Sequence, residues 1–162
     1  MKQYSQMKDS EIEWMGNIPE GWDVKKIGTL IQNKYIKEIQ DGNHGELHPK
    51  NIDFETKGIP FLTANCIHKG NILFEKCNYL NSEFVSKLRI GFSKPNDVIL
   101  THKGTIGESA ILPDSFDLVM LSPQTTYYRV SKKILNHFLN YSFQGSYFQD
   151  QLLLKGKQST RY

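Results

Sequence analysis

The sequence predicts an α+β fold, a twisted mixed or antiparallel sheet of short strands with flanking helices. Three observations carry this. Residues 59–130 are a succession of short apolar segments separated by turn formers, the pattern of many short strands. Helical spacing of apolar residues is concentrated before and after that block, around 24–32 and 131–155, with one short stretch inside it at 81–90,. The composition, 38% hydrophobic and 23% charged with eight Tyr and nine Phe, is that of an ordinary globular core,. At 162 residues the chain is expected to form one domain,. We divide it into an N-terminal arm (1–22), a main domain (23–155) and a short exit segment (156–162).

Each element has its own signal. NIPEGWD (17–23) reads as a turn with Trp22 as an anchor. Asp23 is a candidate N-cap for a helix over 24–32, with Val24, Ile27, Leu30 and Ile31 on one face,. Residues 40–58 read as a long loop, since Asp41-Gly42 and Asn43 form turns and His48 precedes Pro49,. IPFLTANCI and NILFEKCNYL are strand-like and are joined by a hairpin signal, His68-Lys69-Gly70-Asn71,. NSEFVSKLRI (81–90) suits a helix capped at Asn81 or Ser82, with Phe84, Val85 and Leu88 inward. Pro95-Asn96-Asp97 then turns the chain into the strand VILT, a glycine-bearing loop (102–108) and the strands SAILP, DLVMLS and QTTYYRV. Ile134, Leu135, Phe138, Leu139 and Phe143 make a helical stripe that breaks at Gly145, and Ser146 can cap a second helix carrying Phe148, Leu152 and Leu153,.

Composition and motifs narrow the function classes. No apolar run reaches the ~20 residues of a membrane-spanning helix, and the first residues lack the apolar core of a signal peptide,. Cys66 and Cys77 are the only cysteines; without a secretory signal they are expected to be reduced thiols in a cytoplasm. The formal charge of +3 is unevenly spread. Asp9, Glu11, Glu13, Glu20 and Asp23 make the start acidic, whereas Arg129, Lys132, Lys133, Lys155, Lys157 and Arg161 make the end basic. Such a basic segment is compatible with a phosphate-rich partner, but on charge alone a solvated helix face is the simpler reading. In DVILTHKGTIGES (97–109), Lys103 precedes Gly104 and Gly107, and Glu108 stands where a nucleotide loop has lysine,. The His-x-Glu pattern of His44 and Glu46, with His48 nearby, is similar to that of the zinc deaminases, but the Cys-x-x-Cys pair that completes their site is missing,. No G-x-S-x-G elbow is present,.

What remains is polar and basic residues at predicted strand ends: His44, Asn65, His68, Lys69, His102, Lys103 and Thr105. Lysines suit phosphates, while Asn, Gln and Arg pair with base edges. The same residue types also build ordinary turns.

Taken in order, several segments resemble the DNA-specificity subunit of type I restriction–modification systems. EWMGNIPEGWDVKKIGTL (13–30) is similar to that family's N-terminal signature, DGNHGE (41–46) to its Asp-Gly-x-His loop, and GIPFLTANCIHKGNI (58–72) to its first strand pair. NDVILTHKGTIGESAIL (96–112) is similar to its strand, glycine turn, strand unit, and the helices with GKQSTRY (156–162) resemble the segment leaving its first target-recognition domain. The resemblance implies a non-catalytic subunit without a cofactor of its own, which reads one half of a split double-stranded DNA target. It implies as partners DNA adenine methyltransferase subunits and a restriction subunit, with self-association of the isolated domain as a further expectation. The family's spacer helix and second recognition domain have no counterpart before Tyr162. On this reading Lys69, Lys103 and Arg161 are candidates for phosphate contacts. His44, Asn65, His102, Thr105 and Gln124 are candidates nearer base edges, and His68 is a further candidate for contacting DNA. Two other readings stand beside it, a metal-dependent enzyme fragment using His44, Glu46 and His48, and a protein-interaction module using the helices at 131–155.

Overall fold

The computed structural model describes residues 4–44 and 47–159, with side chains up to Leu154. The arm opens with an antiparallel hairpin, β1 (Met7–Asp9) against β2 (Asn17–Pro19). Helix α1 (Ile27–Gln32) is shorter than the expected 24–32 and is not capped by Asp23. Asp23 instead pairs with Lys25 at 3.3 Å and Lys8 at 3.4 Å. The Lys25 ammonium, and after it Lys8, hold the Asp23 carboxyl below its ordinary range. β3 (Ile36–Asp41) follows where the sequence gives no strand signal. Only Ile36 of this strand is buried, so partner pairing at a sheet edge rather than an apolar pattern makes it a strand,.

The middle of the chain is strands broken by single 3-10 turns. A turn at Asn51–Asp53 leads into β4 (Phe54–Glu55), so the expected 40–58 loop is shorter than predicted and bounded by strands on both sides. β5 (Ile59–Leu62) ends in a 3-10 turn at Ala64–Cys66. β6 (Ile67–His68) and β7 (Asn71–Ile72) form the predicted hairpin. Its two-residue turn has positive φ at both Lys69 and Gly70, the backbone that matches strand twist,. After a turn at Phe74–Lys76 come β8 (Asn78–Leu80) and α2 (Ser82–Ser86). Asn81 caps α2 through its side chain, which accepts from Phe84 N–H at 2.7 Å, and Val85 and Leu88 are buried as predicted. β9 (Phe92–Ser93), β10 (Val98–Thr101), β11 (Ser109–Ile111), β12 (Val119–Leu121) and β13 (Thr125–Val130) complete the strands.

The α+β class holds, with the strands divided between two principal sheets. One is antiparallel, in the order β11-β10-β13-β3; the other is mixed, in the order β4-β8-β5-β12-β9, with β5 and β12 parallel. The main core, with Leu62, Ile99, Leu112, Val119, Leu121 and Tyr127, includes strands from both sheets. Cys66 and Cys77 lie in it as free thiols. The neighbouring Cys66 thiol, together with burial, pushes the Cys77 thiol far up.

Helix α3 (Asn136–Gln144) lies on the antiparallel sheet and α4 (Ser146–Ser159) follows, the break falling at Gly145 as predicted. The predicted stripe is only partly core. Leu139 and Phe143 are buried, with the Phe143 ring between Tyr128, edge-on at 5.0 Å, and Phe148, tilted at 4.7 Å. Leu135 and Phe138 are exposed. The arm supplies part of the cover: Trp22 meets Phe138 edge-on at 5.5 Å, and Trp14 meets Tyr147 at 5.4 Å.

One polar network crosses between the sheets. Asp97, 1% exposed, receives both Arg129 Nε and a terminal Arg129 nitrogen at 2.8 Å. It also accepts from Ser93 Oγ at 3.1 Å and Lys94 N–H at 2.8 Å. Arg129 bonds Glu38 on β3 as well and lies over the Tyr127 ring. These carboxylates, Asp97 foremost, hold the guanidinium protonated even more firmly than usual. Burial and the bond to Glu38 push the Tyr127 hydroxyl up. Removing one partner of a buried ion pair leaves the other charge unpaired, at a cost of about 3–5 kcal/mol. Asp97→Ala is therefore expected to lower the unfolding free energy by about that amount in urea titration, with little change in the slope.

Candidate nucleic-acid interface

The site forms where five strand ends meet. β3, β5, β10 and β12 all finish at this edge and β13 begins there. Backbone bonds tie the ends together. Gly42 N–H donates to Thr125 O at 2.8 Å, Asn43 N–H to Leu121 O at 2.7 Å, Ser122 N–H to Leu62 O at 2.8 Å, and His102 N–H to Gln124 O at 2.9 Å. The approach at Gly42 is so close that a Cβ there would fall 1.9 Å from Ser122 O, which admits only glycine,.

The glycine turn between β10 and β11 is built around Thr101, the buried last residue of β10. Its hydroxyl donates to Thr105 O and accepts from Glu108 N–H at 3.0 Å, while its carbonyl accepts from Gly107 N–H at 3.0 Å. These bonds fold 102–107 into a compact projection with Lys103 and Thr105 exposed. Gly104 lies against Ala64 and Gln124 from the neighbouring segments. Ala64 N–H in turn donates to Gln124 Oε1 at 3.1 Å.

The structure brings together most of the sequence candidates. His44, Asn65, His102, Lys103, Thr105 and Gln124 share this edge. They are not equivalent. Asn65, Lys103 and Thr105 are exposed, whereas Gln124 is half-buried with its carboxamide oxygen committed to Ala64. His102 Nε2 lies 3.9 Å from Asp41 Oδ1, and Asp41 also accepts from Thr126 Oγ1. His44 Nδ1 lies 2.9 Å from Gly42 O. His68 and Lys69 sit on the β6–β7 hairpin, which docks on the other flank of the same turn. Lys69 N–H donates to Glu108 Oε2 at 2.7 Å, and His68 Nδ1 is 3.6 Å from Glu108 Oε1. Arg161 lies outside the described residues.

The metal reading gains nothing from the geometry. His48 packs edge-on against the Phe61 ring, and Glu46 lies outside the described residues. Among the described residues no group of three or more His, Cys, Asp or Glu is placed to hold one ion. Sequence reasoning missed the supports: Thr101, Asp41, Glu108, and two glutamines on the helices. Gln149 Nε2 donates to Gly107 O at 2.8 Å and Gln144 Nε2 to Ser109 O at 3.4 Å. A polar residue at the end of VILT was the only local signal for Thr101; the glutamines have none.

No family model matches this chain, and no curated protein matches its sequence. Solved structures do share its fold. The HsdS subunit from Thermoanaerobacter tengcongensis superposes with a TM-score of 0.55 at 16% identity, over 83% of this chain and 29% of that one. A structure of the type I R-M system, described in terms of complex assembly and conformational transition, superposes with a TM-score of 0.51 at 13% identity, over 77% of this chain and 29% of that one. At these identities the likeness is one of fold: the helices and short-stranded sheets match the HsdS target-recognition domain fold. The chain spans less than a third of either neighbour's length.

Thr101 offers a local test of how the edge is built. Thr101→Val preserves the strand's shape and removes the hydroxyl, leaving Glu108 N–H without its acceptor. The expected cost is about 1–3 kcal/mol in thermal or urea unfolding, with amide chemical-shift changes concentrated in 102–108.

Proposed function

We propose that this domain recognises double-stranded DNA by sequence, reading one half of a bipartite target within a type I restriction–modification assembly, and that it performs no chemistry itself. The observation that carries the reading is the convergence of polar and basic residues from distant parts of the sequence on one edge. His44, Asn65, His102, Lys103, Thr105 and Gln124 gather around a projecting turn, with His68 and Lys69 on its flank. The fold shared with an HsdS subunit supports it.

On this reading the glycine turn enters the major groove. Lys103 and Lys69 grip phosphates and fix the register, Arg161 belongs with them by sequence, and the exposed Asn65 and Thr105 lie nearest base edges. Gln124, bonded to Ala64, serves first as scaffold. Methylation and cleavage belong to adenine methyltransferase and restriction subunits that join the specificity component in the cell's cytoplasm. The outer face of α3 and α4, where Leu135, Tyr141, Leu153 and Leu154 are exposed, favours a second role in contacting a protein, a partner subunit or a second copy,.

Selection of bound duplexes from a random pool, with methyltransferase subunits added where the domain alone is weak, tests the reading directly. Enrichment of one short sequence is expected; a pool that remains random at low salt refutes it. With the selected duplex, log affinity is expected to fall by about 0.9 per log unit of salt for each phosphate contacted. Lys103→Ala is expected to weaken all duplexes alike and to lower that slope by about one. A changed sequence preference in this variant would make Lys103 a base reader instead.

A further inference from the structure

The glycine turn is held from behind by a residue that is nowhere near its tip. Gln149, in the first turn of α4, donates from Nε2 to two carbonyls, Gly107 O at 2.8 Å and Phe143 O at 2.6 Å. Two acceptors on one nitrogen fix which end of the carboxamide faces the turn. The fit is close: a Cβ on Gly107, whose φ is +91°, would fall 2.4 Å from Gln149 Oε1. Gln144 makes a parallel contact to Ser109 O and lies against Gly70 of the β6–β7 hairpin. Phe143 and Phe148 fix the base of α4 in the core, so Gln149 is presented from a rigid support.

We infer that Gln149 is a positioning residue for target selectivity. It sets the geometry of the 102–107 turn through Gly107, so that α4 governs what the turn can read without itself touching DNA. The inference rests on the reading of this edge as the DNA-recognition surface. Side chains that read base edges through paired hydrogen bonds tolerate little displacement, whereas lysine–phosphate attraction is far less directional. Loosening the turn is therefore expected to erode discrimination between duplexes before it erodes affinity for DNA in general.

Gln149→Met keeps the length of the side chain and removes both donations. Gln149→Glu places a carboxylate against two carbonyl oxygens and is the more severe variant. Two measurements decide the matter. In hydrogen exchange, which needs no DNA, the Gly107 and Glu108 amides of Gln149→Met are expected to exchange about tenfold faster, with β13 amides unchanged. In binding, the affinity ratio between the selected and a scrambled duplex is expected to fall about five- to tenfold, the worth of one hydrogen bond. The salt slope should stay at the wild-type value because no phosphate contact is lost. Unchanged exchange at the turn overturns the inference. So does faster exchange with a wild-type affinity ratio, which would give Gln149 a structural role only. A wild-type protein that binds all duplexes alike overturns the DNA reading instead, and with it selectivity as Gln149's role; the exchange data then still report whether it holds the turn.

Discussion

The buried pair of Asp97 and Arg129 is the constraint on which the candidate interface edge depends. Asp97 stands where the β9 end of the mixed sheet turns into β10 of the antiparallel sheet, and Arg129 lies near the far end of β13. Burying a carboxylate is tolerable only where its lone pairs are filled, and here four donations fill them,. The pair fits one alignment of β10 and β13, with Val98 opposite Tyr128. A slip of one residue would separate the charges and turn the core faces outward. The same alignment sets Thr101 opposite Thr125 at the other end. There the chain leaves β10 as His102 and its amide meets Gln124 O. A charge pair at one end of two strands thus determines which residues face each other at the opposite end, where the glycine turn begins.

The edge separates support from presentation. Gly42, Thr101, Gln124 and Glu108 spend their polar groups on each other and on neighbouring backbone, so they hold loops together. Asn65, Lys103 and Thr105 are exposed on the frame so made. This division suits the proposed role of a surface that is rigid and yet variable in what it reads. Exposed positions change at little cost to folding, whereas the frame residues leave buried donors or acceptors unpaired when they change. The acidic residues follow the same logic. Asp41 and Glu108 lie close to the candidate phosphate-binding lysines and histidines, but each is engaged with local partners rather than presented as a bare charge.

How much of this was legible in the sequence depended on whether a feature is local. VILT and DLVMLS were readable because a strand buried on both faces needs consecutive apolar residues. The Lys69-Gly70 turn and the Asn81 cap were readable because their conformations restrict residue type at fixed offsets. β3 was not, since an edge strand with one buried residue carries no apolar alternation. The start of α1 was misplaced because Asp23 is a good cap by type but is drawn to Lys25 and Lys8. The exposed half of the α3 stripe misled for another reason: helical spacing marks a face without saying what covers it, and Leu135 faces solvent. The candidate site was legible as a set of loops, because polar residues at strand ends mark an edge. Its internal bonds were not. Gln124 meets Ala64 across 60 residues and Gln149 meets Gly107 across 42, separations that only the completed topology brings together.

The two ends of the chain converge on the same support. The first turn of α4 is held on three sides: Phe148 in the core against Phe143, Tyr147 against the arm through Trp14 and the Met15 carbonyl, and Gln149 against the glycine turn. Farther along the helix Leu153 and Leu154 are exposed. A helix fixed at its base in this way ties the core, the arm and the glycine turn to one support. Whatever packs against its exposed part acts on a body already bonded to Gly107. Displacement of that body would bear on the Gln149 bonds and, through Phe148, on the cluster α4 shares with Val98, Leu100 and Tyr128 of the antiparallel sheet. The turn is thus coupled to α4 directly through Gln149, and the antiparallel sheet through the cluster that Phe148 joins.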